Sequence, residues 1–452
     1  MSTKHSKRAA QFLKNQKQAA WTDETLWLVR TKRDKLCKAV PEWEKLRDAA
    51  SALKMYSNSH LDILLKEFEK HAIENGAKVY WAQDAEEYRE IIYGILEQHH
   101  VKHFVKSKSM LSEECELNPY LESKGIEVVE TDLGERILQL MNRRPSHVVM
   151  PAIHIKREEV GKLFEKEMDT ERGNFDPTYL TRAARKNLRQ HFIHADAAMT
   201  GANFAVADTG EVVVCTNEGN ADMGTSQPKI QIAAFGMEKI VPDRESLGVF
   251  TRLLARSATG QPITSYTSHY QKPRESGELH FIIVDNGRSK ILANEQHRKT
   301  LNCLRCGACM NTCPVYRRSG GYSYTYFIPG PIGINLGMLK APLHYYDNVS
   351  ACSLCYSCSN VCPAKIDLAE QIYMWRQDLD KYGVASSEKR MMCKSMGFLM
   401  DRPALFNAAM ATAPMGVPVV LKAFGMEWGK GRAFPDFAKD SFNALWKKGK
   451  VK

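Results

Sequence analysis

Several things are missing from this 452-residue sequence, and each absence removes a class of function. The first residues, MSTKHSKRAAQFLKNQKQ, carry charge with no apolar run behind it, which argues against a secretory signal. No G-x-G-x-x-G follows a strand pattern, so the common dinucleotide fingerprint for NAD or FAD is absent. GPIGINLG (330–337) matches neither its spacing nor its strand–helix context. That leaves open a flavin held another way. Long apolar runs are also scarce. The most apolar, PALFNAAMATAPMGVPVVL (403–421), has roughly the length of a bilayer span. Pro414 and Pro418 interrupt it and Asn407 sits inside it, so two short buried or interfacial segments are expected rather than a transmembrane helix. The expectation is a cytoplasmic chain, at most peripheral at the inner face of the membrane.

Net charge is lacking in the middle of the chain. The net +11 resides at the two ends: residues 1–35 hold nine Lys/Arg against three Asp/Glu, and residues 422–452 hold eight against three. Basic ends suit an acidic protein, an anionic membrane surface or plain solubility. No nucleic-acid motif accompanies them, so no nucleic-acid partner is expected. The length calls for two or three domains.

Cysteine is what the sequence has in a pattern. CLRCGACMNTCP (303–314) and CSLCYSCSNVCP (352–363) both read C-x2-C-x2-C-x3-C-P. In a chain expected to sit in a reducing compartment, disulfides are disfavoured. Three thiolates at this spacing wrap one [4Fe–4S] cluster, and in two-cluster ferredoxins the fourth ligates the other cluster. A repeat is therefore required, because each half completes its neighbour. The expected ligands are Cys303, Cys306, Cys309 and Cys362 for one cluster, and Cys352, Cys355, Cys358 and Cys313 for the second. Zinc sites use two C-x2-C pairs and lack the triple. Cys37, Cys115, Cys215 and Cys393 stand alone and read as small buried apolar residues. Two clusters make a conductor for single electrons.

The rest divides by rhythm. Residues 1–74 are polar and helical. AKVYWA (77–82), KHFVKSK (102–108) and IEVVET (126–131) read as strands alternating with helices 85–99 and 109–125, the pattern of βαβ units and a parallel sheet. Residues 155–198 read as helix, with Asp176-Pro177 a start signal. Phe204–Ala207 and Val212–Cys215 flank Asp208-Thr209-Gly210 as a hairpin. KIQIAAFG (229–236) and LHFIIVDNG (279–287) are strands around a helix at 244–258. The expected domains are a helical region (1–74), an α/β domain (75–292), a helical ferredoxin domain (293–390) and a C-terminal helical or apolar segment with a basic tail (391–452).

Three blocks carry a family resemblance: MTGANFAVADTGEVVVCTNEGN (199–220), GELHFIIVDNGRSKIL (277–292), and LNCLRCGACMNTCPVYR continuing through YFIPGPIGINL to the second repeat. With them the chain resembles, over essentially its full length, the lactate utilization protein B family, the iron–sulfur subunit of the three-protein bacterial L-lactate oxidation system. The resemblance implies a LUD-type α/β module similar to sugar-phosphate isomerases and formyltetrahydrofolate cyclo-ligases. It implies electron transfer from L-lactate oxidation to pyruvate toward the respiratory chain; membrane-surface or quinone contact is a separate expectation. It implies two partner subunits: a Cys-Cys-Gly-type iron–sulfur protein, a motif absent here, and a small LUD-type protein. Two other readings remain: a relay serving another 2-hydroxy acid such as glycolate, and a metabolite- or redox-sensing binding protein.

Ligands of open parallel sheets sit beyond the strand C-termini. That rule gathers Lys106, Ser107, Lys108 and Glu113, with Asp208, Thr209, Asn217, Glu218 and Asn220, as a pocket for a small anion. A plain hairpin turn and a solvated strand end account for the same residues equally well. His154, His191, His194 and His269 have no ligand spacing. No catalytic residue is identified.

Overall fold

The computed structural model of the protein describes residues 4–384, 387–411, 438 and 440–450. Residues Met1–Asp378 form one compact unit and Leu379–Lys452 a second.

The first unit is built on a six-stranded sheet. Its strands are β1 (Lys78–Ala82), β2 (His103–Lys106), β3 (Glu127–Glu130), β4 (Ala197–Gly201), β7 (Ile230–Gly236) and β10 (Glu278–Val284). Their order is β1-β10-β7-β4-β2-β3 and every pairing is parallel. Alternate residues go to opposite faces, as strand geometry requires. Phe281 and Ile283 pack with Leu64, Phe68 and Phe235 on one side. Ile282 and Val284 pack with Tyr88, Ile92, Phe104 and Met199 on the other. Helix Ala85–Gln98 covers this second face, its N-cap Asp84 accepting from the backbone N–H groups of Glu86 and Glu87.

A second sheet packs on the Phe281 face: β5 (Phe204–Val206), β6 (Glu211–Thr216), β8 (Ile240–Val241) and β9 (Tyr266–Tyr270), in the order β8-β5-β6-β9. β5 and β6 are the expected antiparallel hairpin. The helical reading of 155–198 needs correction. Helices Arg157–Glu167 and Pro177–Ile193 are present, the latter capped by Asp176, but Ala197–Gly201 is a fully buried strand in the middle of the large sheet. Its mostly small side chains, AAMTG, include one β-branched residue, Thr200, and give only a weak strand signal. The expected helix 109–125 is broken into Met110–Glu114 and Leu117–Ser123 by Glu116 at φ 52°.

The N-terminal region consists of helices Lys4–Leu13, Gln16–Lys38, Trp43–Ser59 and Leu61–Glu74. They pack both on the sheets and on the cysteine-bearing region. In the second unit, Ser387–Met400 and Phe442–Lys447 are helical, and so are residues 403–411. That last stretch is mostly exposed, which sets aside the buried one of the two expected alternatives there, and 412–421 lies outside the described residues. Cys37 and Cys115 are buried as expected, whereas Cys393 is exposed.

Candidate metal centre

Both cysteine repeats fold the same way. A short 3-10 turn, Arg298–Asn302 or Tyr346–Ala351, delivers the first cysteine. Two residues on, Arg305 (φ 59°) and Leu354 (φ 53°) take left-handed backbone, and two further on Gly307 (φ 73°) and Tyr356 (φ 58°) do the same. A non-glycine residue held there costs roughly 1–2 kcal/mol. The conformation turns backbone N–H groups inward onto sulfur. Arg305 donates to Cys303 Sγ at 3.4 Å and Leu354 to Cys352 Sγ at 3.3 Å. Helices Ala308–Thr312 and Ser357–Val361 then carry the third cysteine, Cys309 or Cys358. After the first repeat, Cys313 caps helix Pro314–Ser319 and accepts from Tyr316 N at 3.4 Å.

Electrostatically the thiols couple in two groups, each made of three cysteines of one repeat and the fourth of the other. Cys306 is pushed up to about 12 by burial, with Cys362 and Cys303 adding to the effect. Cys309 is raised by burial and by Cys303, Cys306, Cys358 and Cys362. Burial also raises Cys313 to about 11 and Cys358 to about 12; Cys313 feels Cys352 and Cys355, and Cys358 feels Cys313, Cys352 and Cys355. That Cys309 also senses Cys358 makes the two groups neighbours. Eight convergent thiols, none in a disulfide and several held protonated by burial, form a donor set that metal completes by displacing protons. The soft sulfur donors and inward N–H groups fit an iron–sulfur group.

The N-terminal helices clamp this centre. Buried Arg33 donates to Val361 O at 2.9 Å, and Arg47 to Cys362 O at 3.0 Å and Asn360 O at 2.8 Å. Arg30 reaches Thr312 Oγ1, and Asp23 pairs with Arg317 at 2.8 Å. Part of the N-terminal positive excess is thus spent within the unit. Sequence reasoning missed these residues, since their partners lie some 300 positions away.

Of the nine residues gathered for an anion pocket, Ser107, Lys108, Asn217 and Glu218 line a cavity of about 510 Å³ at the strand C-termini. Asn220 stands behind its wall, donating to Asp132 Oδ2 at 2.7 Å. Lys106 is turned away into a buried pair with Glu130 at 2.6 Å, with Glu113 close by. Asp208 and Thr209 do not line the cavity. They sit in the β5–β6 turn, where Thr209 O accepts from Asn75 and Gln271 and Gly210 (φ 63°) presses on Ala72. Sequence reasoning missed Asp132, Glu135, Lys239 and Arg305, which also line the cavity, along with Cys306. Burial raises Asp132 and Glu218, and takes Glu135 to about 7. Of the four histidines without ligand spacing, His154 is half-buried beside Ser146 Oγ at 2.6 Å and is lowered by burial to about 4.

The LUD domain family matches residues 65–292, and the 4Fe-4S dicluster domain matches residues 299–366, so the cysteine-bearing region is an iron–sulfur module. The chain is 38% identical over 431 residues to an uncharacterized electron transport protein, YkgF, of Escherichia coli (strain K12), covering 92% of this chain and 90% of that one. It is 39% identical to lactate utilization protein B of Geobacillus kaustophilus (88% and 87% covered) and 40% identical to that of Geobacillus thermodenitrificans (87% and 86%). A crystal structure of a DUF162 family protein from Deinococcus radiodurans covers 50% of this chain and 98% of its own. Its identity is 15% and its TM-score 0.28, too low to carry an argument. The chain belongs to the lactate utilization protein B family.

Proposed function

We propose that the protein is an electron-transfer subunit in L-lactate utilization, passing single electrons through two [4Fe–4S] clusters. Cys303, Cys306, Cys309 and Cys362 hold the first cluster, and Cys352, Cys355, Cys358 and Cys313 the second. What supports the reading is electrostatic: the fourth cysteine of each loop is close enough to act on the three thiols of the other. When bound, each cluster supplies reversible one-electron transfer. The chain sets the potentials by burying the sulfurs, aiming N–H groups at them and placing charge beside them.

The first site is enclosed, with Cys306 and Cys309 buried. Of the eight cysteines, Cys355 alone is exposed, which makes the second site the outlet toward a protein partner. The partner subunits named by the resemblance, an outlet to quinone and contact of the basic ends with the membrane surface belong to this reading. Among the described residues, no helix is long and apolar enough to cross a membrane.

Anaerobic purification with co-purifying subunits, iron counting and visible spectroscopy test it. About eight irons per chain and bleaching on adding L-lactate are expected. Bleaching by glycolate but not L-lactate would transfer the relay to another fuel. An iron-free preparation that still supports lactate oxidation would end the reading.

A further inference from the structure

The 510 Å³ cavity is bounded by both modules. Lys108 follows β2, Asp132 follows β3 and Lys239 follows β7, while Arg305 and Cys306 of the first cysteine loop complete the lining. Four cations line it, and two are already matched: Arg288 by Glu114 (3.0 Å) and Glu238, and Lys108 by Glu135 (2.8 Å). Among the described residues Arg305 and Lys239 have no carboxylate at ion-pair distance, and the buried Nη1 of Arg305 has no hydrogen-bond partner. Glu238, already held by Arg288, is the largest charge acting on Lys239 and also acts on Arg305; the two cations lie close enough to repel one another and to sense Cys303. The same cavity has apolar lining from Phe235, Leu254 and Ala258. The volume matches an ordinary organic-ligand pocket and corresponds to roughly 17 waters at about 30 Å³ each, far more than a three-carbon acid needs.

We propose that this cavity binds an organic acid, its carboxylate on Lys239 and Arg305 and its carbon chain along Phe235, Leu254 and Ala258. The inference rests on the reading of Cys306 as a ligand of the first cluster. The occupant shares two cations with that cluster, so ligand and electron compete for the same positive charge. An added electron weakens the acid's hold, and by linkage the bound acid makes the first cluster harder to reduce. Such a site takes up acid while the clusters are oxidised and releases it once they are reduced, the order a fuel site requires. The unused apolar volume accepts longer chains, each buried CH₂ being worth about 0.8 kcal/mol, or about fourfold in affinity.

Equilibrium dialysis of the anaerobic, iron-loaded full chain against L-lactate, pyruvate, 2-hydroxybutyrate and 2-hydroxyhexanoate tests this, with inorganic phosphate as a further arm. One acid per chain is expected, bound more tightly to oxidised than to dithionite-reduced protein, with affinity rising about fourfold per added CH₂. The EPR signal of the reduced first cluster should change on acid addition. Lys239→Met should weaken binding at least tenfold with iron content unchanged, and Ala258→Phe should block the longer acids first. Iron-loaded protein that binds no acid, binds phosphate alone, or is indifferent to Lys239→Met overturns the proposal. Such a result leaves the relay standing, whereas protein without iron removes the relay itself.

Discussion

The two cysteine loops share one backbone and differ in what surrounds it. Both place left-handed residues two and four positions after the first cysteine, and both turn an N–H onto that cysteine's sulfur. The N-terminal helices hold both loops, through Arg30 on Thr312 and through Arg33 and Arg47 on Val361, Cys362 and Asn360, but the first loop also lies against the α/β module, with Arg305 and Gly307 at its left-handed positions. The second carries Leu354 and Tyr356 there, and its Cys355 is exposed. The backbone is what a loop's first three sulfurs need to converge. The side chains and the burial give each site its own potential, through local charge and solvent access. On the proposed reading, the exposed second site is the outlet and the enclosed first site the inlet.

Swapping the loops' residues tests that difference most severely at Gly307. A Cβ there would lie 2.8 Å from His147 Cε1, on a backbone at φ 73°. Gly307→Tyr, copying the second loop, should abolish the first site and leave about half the iron of the unaltered protein. Tyr356→Gly should keep all of it.

A smaller effect comes from His147, the support behind Gly307. Its Nδ1 accepts from Val149 N and Met150 N, so the proton sits on Nε2 and is donated to Asn311 Oδ1 at 3.0 Å. Burial lowers this histidine from 6.5 to about 3. Between those values the unfolded chain takes up the proton first, so stability is complete above pH 6.5 and falls as the pH drops toward 3. Denaturant melts of the unloaded chain between pH 7 and 4 should show this slope, and His147→Gln should flatten it. Nothing comparable backs Tyr356, which is exposed at 42%.

The smallest effect is on potential. Arg305 places a buried positive charge beside Cys303, and a cation favours the more negative, reduced cluster. Arg305→Leu should lower the first cluster's potential by an amount on the order of 1–2 kcal/mol. Leu354→Arg should raise the second cluster's potential by less, because that loop is nearer solvent. EPR-monitored redox titration reads both. Equal shifts in the two loops would mean that burial plays no part.

Much of this architecture is legible in the amino-acid sequence alone. The cysteine spacing announces the metal chemistry, because four thiolates must meet at fixed intervals. The Val- and Ile-rich strands and the Asp176-Pro177 cap announce themselves through local preferences. β4 is hidden, since Ala197 and Ala198 are chosen to fit between crowded neighbours and leave no periodic mark. Arg33 and Arg47 are hidden for another reason: they look like ordinary helix-surface cations until the fold brings Val361 and Cys362 to them. Lys106 illustrates the limit of strand-end rules, since one step of register decides between the cavity, reached by Ser107 and Lys108, and the buried Glu130 pair.

The crossed pairing of the loops is tested most directly by replacing one fourth cysteine at a time and recording EPR spectra of the reduced, anaerobic protein. Cys362→Ser should alter or remove only the signal that depends on Cys306, and Cys313→Ser only the one that depends on Cys355. If Cys362→Ser instead disturbs the signal lost in Cys355→Ser, each loop closes on itself and the account is wrong.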